Sequence, residues 1–262
     1  MDPARIAELL APFLASPPPA STAHHSSARG DEKVVLSPAQ LHDISTYIDI
    51  LQRWNARMNL TAIRDPEEIV TRHFGESLFA ARHLFPRSAQ VGTASAGHGA
   101  SRGFVGAPEQ AAEQGKKITV ADIGSGAGFP GIPIKLWAPE ISLTLIESNH
   151  KKTTFLREVA RALTLTNIDI QNARAELLPQ PSFDLVTLRA VERFETVLPT
   201  AAGLVLPRGC LALLIGTAQL PAASSLVPDL NWSEPVPIPS SRSRVLAIAT
   251  KSALVLPMKR NQ

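Results

Sequence analysis

An apolar segment that runs directly into a glycine-rich turn is the feature that most constrains the fold of this chain. Residues 118–123 predict a buried strand, and the turn after it carries Gly124, Gly126 and Gly128 before Pro130, which suits the first turn of a helix. Glycine lets the backbone adopt positive φ and approach a ligand closely. The N–H groups at the start of the helix, with the positive end of its dipole, favour a carboxylate or a phosphate. The turn therefore predicts a site for a small cofactor.

Asp122 distinguishes between two cofactors that such a turn could hold. The spacing Gly126-x-Gly128-x-x-Gly131 matches the dinucleotide fingerprint, and Glu147 lies where a ribose-binding acid could stand. A dinucleotide fold normally has an apolar residue where Asp122 stands, two positions before the first glycine. The pattern Asp-x-Gly-x-Gly-x-Gly instead resembles the first motif of the S-adenosylmethionine-dependent methyltransferases, whose cofactor is partly cationic. An NAD(P)-dependent oxidoreductase stays an alternative, as does a plain strand-turn-helix in which Asp122 caps the helix.

Composition bounds the class of protein without identifying it. The chain has 262 residues, of which 44% are hydrophobic, so it can bury a sizeable core. It contains no apolar run near the ~18 residues that span a bilayer, and its first twenty residues do not resemble a signal peptide. The single cysteine fits a reducing cytosol, and no cluster of metal-ligand type stands out. We expect a cytoplasmic protein without a metal or a membrane span. The formal net charge of +3 permits a nucleic-acid partner but does not by itself argue for one.

Hydrophobic patterning divides the chain into four regions. Residues 1–36 form a flexible N-terminal segment with a possible short helix at 3–14, residues 37–86 a helical cap, residues 87–117 a flexible insertion or linker, and residues 118–262 the domain that holds the glycine turn. Within the last region strands and helices alternate, which predicts a mostly parallel, doubly wound α/β sheet. Strands are predicted at 118–123, 142–147, 167–171, 183–188, 209–215 and 244–250, and helices at 130–137, 150–164 and 194–205.

Candidate residues lie at the ends of three predicted strands, where ligands bind in such sheets. Glu147 ends the second strand and could accept both hydroxyls of an adenosine ribose. After the third strand, the backbone of Ala175 and the side chain of Glu176 could meet an adenine edge, although a solvated turn explains them equally well. Arg189 closes the fourth strand and could bind a carboxylate or phosphate bidentately. The alternative for Arg189 is an ion pair with a neighbouring acid such as Glu192.

Two segments of the cap carry a more specific signal. The sequences LQRWNARMNLTAI at 51–63 and RHFGESL at 72–78, together with the glycine turn, residues 147–156 and Arg189-Ala190, resemble the bacterial glucose-inhibited division protein B family. The members of that family are guanine-N7 methyltransferases of small-subunit (16S) ribosomal RNA. The resemblance implies a Rossmann-like S-adenosylmethionine-dependent methyltransferase sheet with an N-terminal helical cap. It also implies methylation of one guanine near the decoding centre, with 16S rRNA or the small ribosomal subunit as partner. Nothing in the sequence suggests an obligate dimer, so we expect a monomer.

The resemblance, with the glycine motif, assigns the candidate site residues and names no catalytic base. The cofactor contacts are Asp122, Gly124, Gly126, Gly128, Phe129, Glu147, Ala175, Glu176 and Arg189, and the RNA-facing residues are Asn59, Arg72, His73, Lys151 and Lys152. For His73 the alternatives are stacking on a base and packing inside the cap. The chain departs from the family at Glu76, where aspartate is usual, and at Ile215, where lysine is common. A non-catalytic RNA-binding assembly factor therefore stays a further alternative.

Overall fold

The computed structural model describes residues 1–15, 35–86 and 117–253. These residues form a helical cap packed on one face of an eight-stranded sheet. The connection predicted after residue 15, nearly all of the insertion predicted at 87–117, and the last nine residues of the predicted sheet domain lie outside the described residues.

The sheet has the mostly parallel, doubly wound arrangement that the alternating pattern predicts. Its strands are β1 Thr119–Ile123, β2 Ser142–Ile146, β3 Ile168–Gln171, β4 Phe183–Arg189, β5 Val205–Gly216, β6 Leu230–Trp232, β7 Val236–Pro237 and β8 Arg244–Lys251. The order is β3-β2-β1-β4-β5-β8-β6, with β7 paired to β8. Strands β1 to β5 are parallel, whereas β8 runs antiparallel to β5, β6 and β7. Because the chain leaves β1 for β2 on one side and later enters β4 on the other, the strand order reverses between β1 and β4. The reversal opens a crevice beyond their carboxyl ends.

Helices cover both faces of the sheet. The cap contains α1 Pro3–Leu14, α2 Pro38–Asn55, α3 Pro66–Glu68 and α4 Glu76–Leu84, with a π-helical segment, Ile69–Gly75, between α3 and α4; the sheet domain contains α5 Gly131–Trp137, α6 His150–Ala162, α7 Phe194–Leu204 and α8 Leu220–Leu226. Ser37 caps α2 in a reciprocal pair with Gln40, as the sequence predicts. Asp65 caps α3 through a single hydrogen bond, which its side chain accepts from the N–H of Glu68. The sequence pattern did not predict α8 or the π-helical segment.

The cap shares one hydrophobic core with the sheet. Along β1, Val120 packs into the cluster that contains the buried cap residues, whereas its neighbour Ala121 packs into the cluster on the other face, with α7. This is the alternation of side chains expected of a strand. The indole N–H of Trp137 in α5 donates to the carbonyl of Phe85 at the end of α4, at 2.9 Å. The cap is therefore fixed to the sheet domain by apolar packing and by hydrogen bonding.

The first helix packs against the cap, which corrects the inclusion of residues 3–14 in a flexible segment. Ile6, Leu10 and Phe13 on one face of α1 are at most 2% exposed. Phe13 lies over Gly75, where an added Cβ would come within 2.6 Å of the phenyl ring. The missing side chain at Gly75 lets α1 approach the π-helical segment closely. The apolar positions of α1 are too few for the sequence to show which surface they would cover.

Candidate active site

The glycine turn after β1 lies at the reversal in strand order, and its geometry requires glycine. Gly124, Gly126 and Gly128 have φ values of +64°, +56° and +85°, in the left-handed region that other residues rarely adopt. A Cβ on Gly128 would overlap the hydroxyl of Tyr47 from α2, and that hydroxyl donates to the carbonyl of Ala127 within the turn. Sequence reasoning did not single out Tyr47. The signal was a phenol among the apolar positions of α2, since a buried hydroxyl needs a partner.

Asp122 lies beneath the turn and supports it. It is fully buried, accepts from the hydroxyl of Thr187 at 2.8 Å, and accepts from the N–H of Gly131 at the start of α5 at 3.3 Å. A cofactor on the open side of the turn would therefore meet the backbone that Asp122 holds, not its carboxylate. This corrects the expectation of a direct contact and corresponds to the alternative in which Asp122 caps the helix. Burial raises the pKa of this carboxyl group to about 7.

The raised pKa of Asp122 gives a measurable dependence of stability on pH. Asp122 contributes stability that is full below its unfolded pKa of 3.8 and is lost as pH rises towards about 7, because the folded state holds its proton more tightly. His73, whose pKa burial and Arg189 lower from 6.5 to about 3, contributes in the opposite sense, since its stabilisation is lost as pH falls below 6.5. Replacing Asp122 with asparagine removes the contribution that falls with pH and keeps only that of His73, which rises with pH. We expect stability in the variant to increase more steeply with pH between 4 and 6.5. Urea unfolding at several pH values measures the slope, and a slope equal to that of the wild type would contradict a buried, titrating Asp122.

Glu147, directly after β2, is fixed against the glycine turn. The side chain is buried, and its two oxygens accept from the N–H of Gly126 at 3.0 Å and from the N–H of Asn149 at 2.8 Å. A carboxylate has about four acceptor positions, so each oxygen can take a further donor such as a ribose hydroxyl. The side-chain amide of Asn172, just after β3, donates to the main-chain carbonyl of Glu147 at 3.1 Å. The carboxyl ends of β1, β2 and β3 are thereby joined into one edge.

This edge fits an adenosine-containing cofactor. Gly124 is exposed, and a Cβ there would come within 2.9 Å of Val191, so the open backbone leaves space that any other residue would fill. Ala175 is buried and Glu176 exposed in the single 3₁₀ turn that follows β3. These groups follow three neighbouring strands. The turn after β1 would meet a methionyl group, Glu147 after β2 a ribose, and the segment after β3 an adenine ring.

Arg189 ends β4 and is held by an acid from the cap. Its Nε and Nη2 donate to one oxygen of Glu76 at 3.3 and 3.2 Å, and its side chain is only 8% exposed. Arg244 at the start of β8 reaches the same oxygen at 3.0 Å, while Arg72 lies 3.4 Å from the other oxygen. Arg189 therefore forms an ion pair, as its alternative role required, but with Glu76 and not with a neighbouring acid such as Glu192. The two partners are 113 residues apart, so local sequence gives no sign of the pair.

His73 is packed inside the cap, which corrects its assignment as an RNA contact. Its ring is stacked on Phe129 with centroids 4.7 Å apart, and Phe129 is in turn stacked on Tyr47 at 5.3 Å. The two ring nitrogens meet the hydroxyl of Thr61 at 2.8 Å and Nη1 of Arg189 at 3.0 Å. Burial and the charge of Arg189 lower the pKa of His73 to about 3, so the ring is neutral. Because the ring of Phe129 is enclosed by these aromatics, only its backbone is available to a cofactor.

The other predicted RNA-facing residues lie on the surface in three places. Asn59, in the loop between α2 and α3, is exposed and accepts from Arg64 at 3.1 Å. Arg72, in the π-helical segment, has a side chain that is 45% exposed. Lys151 is exposed and Lys152 half-buried at the start of α6. The structure shows no direct contact among these three places in its described residues.

Two negative findings bound the chemistry of the described residues. No group of three or more histidine, cysteine, aspartate or glutamate side chains within 1–15, 35–86 and 117–253 could hold a metal ion. No helix in the same ranges is long and apolar enough to cross a membrane.

Ile215, at the position where the family commonly has lysine, is 4% exposed and packs among apolar side chains of β5 and its neighbours.

The strand order, the glycine turn at its reversal and the fixed acid after β2 define a Rossmann-like methyltransferase fold. Comparison with known sequences narrows this class of methyltransferases to one family. A sequence model of the family described as rRNA small subunit methyltransferase G matches residues 40–108 and 105–225. Ribosomal RNA small subunit methyltransferase G of Halorhodospira halophila is 35% identical over 232 residues, which cover 86% of this chain and 95% of the relative. The enzyme of the same name from Bacillus pumilus is 32% identical over 198 residues, covering 74% of this chain and 71% of the relative.

The chain belongs to the rRNA small subunit methyltransferase G family, also known as glucose-inhibited division protein B. The resemblance noted in the cap and the glycine turn is thereby confirmed. Family membership gives no support to an oxidoreductase or to a non-catalytic assembly factor.

Proposed function

We propose that this protein transfers a methyl group from S-adenosylmethionine to N7 of one guanine in small-subunit (16S) ribosomal RNA, near the decoding centre. The observation that carries the proposal is the buried carboxylate of Glu147, held by the N–H of Gly126 beside an open glycine turn in a member of this family. The turn would take the methionyl end, Glu147 the ribose, and the segment Ala175-Glu176 the adenine. When bound, the cofactor supplies an electrophilic sulfonium methyl.

The chemistry at guanine N7 requires position rather than a proton acceptor. N7 carries a free lone pair and no proton, so no general base is needed. The absence of a base agrees with the environment of His73, the histidine among the candidate site residues. Both of its ring nitrogens are already hydrogen-bonded, so neither is free to take a proton from a substrate. The protein has to hold N7 roughly 3 Å from the methyl group and in line with the bond that breaks. A guanine in a loop can leave its stack to reach such a site, which a paired base cannot do as easily.

Cations that reach the surface provide the RNA contact in this proposal. Arg72 stands on the cap, at the exposed margin of the ion-pair cluster around Glu76. At the start of α6, Lys151 is exposed and Lys152 is half-buried. Contacts to phosphate release counterions and make binding depend on salt. A formal net charge of only +3 implies that these few cations act locally, with the rest of the affinity supplied by the ribosomal context.

Replacing Arg72 with alanine should weaken RNA binding and leave cofactor binding intact. Loss of one phosphate contact should reduce the slope of log K against log salt by about one. The control is Arg208→Ala, which removes an exposed arginine near the amino end of β5, away from the strand ends that form the site. Filter binding at several salt concentrations and calorimetry with S-adenosylhomocysteine measure the two affinities. Equal loss of both would assign Arg72 a folding role instead.

The direct test is methyl transfer from radiolabelled S-adenosylmethionine to small ribosomal subunits that lack N7-methylguanine. Nuclease mapping then locates the label. We expect one N7-methylguanine in the decoding-region loop. Absence of label from a protein that binds S-adenosylmethionine would contradict the proposal and make Ile215 the first position to examine.

A further inference from the structure

A continuous path of hydrogen bonds runs from the loop between α2 and α3 to the end of β4. Residues 56–65 form this loop, which we call the cap loop. Asn55 fixes it, because its Oδ1 accepts from the N–H groups of Leu60 and Thr61 at 2.9 and 3.1 Å and its Nδ2 donates to the carbonyl of Thr61 at 3.0 Å. The hydroxyl of Thr61 meets Nε2 of His73, and Nδ1 of His73 meets Arg189.

The chemistry of the two ends determines where the proton of His73 lies. A guanidinium group can only donate, so Nδ1 of His73 must accept from Arg189. The ring is then neutral, with its proton on Nε2, and that proton goes to the hydroxyl oxygen of Thr61. The same oxygen also accepts from the N–H of Ile63 at 3.1 Å. Both ring nitrogens of His73 therefore have a partner of the matching kind, and only one tautomer of His73 satisfies both contacts.

The charges packed around His73 support the same tautomer. Arg189 from β4, Arg72 from the π-helical segment and Arg244 from β8 all raise the cost of a positive ring. Their buried acid, Glu76, is shared by the three arginines, and Glu68, which is half exposed, pairs only with Arg72 of the three. A protonated ring would add a fourth positive charge to a largely buried cluster and would lose its bond from Arg189.

We propose that His73 is a positioning residue which, as the neutral Nε2–H tautomer, couples the cap loop to the guanidinium group of Arg189. The cap loop presents the exposed side chains of Asn59 and Arg64, whereas Arg189 lies at the crevice beyond β4. The ring of His73 thus links two events: contact of RNA with the cap loop and binding of the cofactor beside Arg189. This inference rests on the proposed function and on Arg189 as the cofactor contact that the family resemblance implies.

Two substitutions at His73 separate the two ends of the path. In His73→Asn the side-chain oxygen can reach the position of Nδ1 and still accept from Arg189, but the link to Thr61 is lost. In His73→Gln the terminal amide can reach the position of Nε2 and contact Thr61, but no acceptor remains for Arg189. The matched control is His83→Asn, because His83 in α4 bonds only to the carbonyl of Phe79 one turn earlier, at 2.8 Å, among the contacts described for it.

The expected results differ for the two variants. His73→Gln should weaken binding of S-adenosylhomocysteine about tenfold or more, as the loss of a hydrogen bond to a charged group does. His73→Asn should retain that affinity and instead raise the KM for ribosomal subunits, and Thr61→Val should behave like His73→Asn. His83→Asn should resemble the wild type in both measurements. Equal losses of cofactor and RNA binding in both His73 variants would overturn the inference.

Nitrogen-15 NMR of histidine-labelled wild-type protein tests the tautomer without any substitution. We expect the His73 ring to show an unprotonated Nδ1 and a protonated Nε2 throughout pH 5.5 to 8. A proton on Nδ1, or a ring that titrates in this range, would overturn the inference even if both variants failed to fold. The outcome does not depend on methyl transfer. A wild-type protein that binds S-adenosylhomocysteine with this tautomer but methylates no RNA would overturn the proposed function and leave the link between His73 and Arg189 standing.

Discussion

Replacing Gly124 with aspartate should abolish binding of S-adenosylmethionine. Gly124 has a φ of +64°, and a Cβ there would come within 2.9 Å of Val191, so the substitution strains the turn that would hold the methionyl group. The new carboxylate would also stand on the exposed side of the turn, where a carboxylate of the cofactor is expected. Calorimetric titration with S-adenosylhomocysteine should show a loss of affinity beyond a hundredfold, since strain and charge repulsion act together.

The matched control for this substitution is Gly124→Ala. It introduces the same Cβ and the same strained φ without the charge, so we expect a smaller loss of affinity, on the order of tenfold. Circular dichroism verifies that both variants are folded. Unchanged cofactor affinity in a folded Gly124→Asp variant would show that the cofactor binds elsewhere.

Replacing Glu76 with alanine should be the most destabilising change within the buried ion-pair cluster. Three arginines, Arg72, Arg189 and Arg244, lie within 3.4 Å of this carboxylate, whose side chain is 2% exposed. Arg72 keeps a second partner in Glu68, but removing Glu76 leaves the largely buried guanidinium groups of Arg189 and Arg244 facing each other without their counter-ion, which costs about 3–5 kcal/mol. For a chain of this size such a loss lowers the melting temperature by about 10 °C. Differential scanning calorimetry measures the change.

Two controls separate the effect of charge from that of shape. Glu76→Gln preserves the size of the side chain but not its charge, and it should be nearly as unstable as Glu76→Ala. Glu67→Ala removes another glutamate, whose side chain is 48% exposed and paired with Arg5. It should change stability little. Sulfate should restore part of the lost stability of Glu76→Ala by entering between the arginines. A Glu76→Ala variant as stable as the wild type would contradict the role of the cluster.

The sequence predicts the fold where the pattern is long and regular, and fails where tertiary contacts decide. The alternation of strands and helices after residue 118 and the capping pair of α2 are local signals, and the structure has both. Strands β6 and β7 are three and two residues long, too short to show periodicity. The π-helical segment arises where Gly75 lets Phe13 of α1 approach. No window of sequence around Gly75 contains that partner.

The candidate site divides in the same way. The glycine turn and Glu147 follow from residue types at fixed spacing, and the structure brings them into contact. The environment of Arg189 does not follow, because its partners come from a distant part of the chain. The sequence predicts ligand-facing roles for Asp122 and His73, whereas the structure buries both side chains. Burial determines their roles. Whether a polar side chain is buried depends on how the cap and the sheet pack together, which local sequence does not show.

The aromatic stack from His73 through Phe129 to Tyr47 has a thermodynamic consequence for the whole molecule. Two of its three rings come from the cap and one from the glycine turn, so the turn cannot keep its shape once the cap has unfolded. A ligand that binds only the folded turn stabilises, by mass action, every part that must fold with it. The folding of the cap therefore contributes to cofactor affinity, and saturation of the turn should protect even α1, where Phe13 lies over Gly75, against local opening.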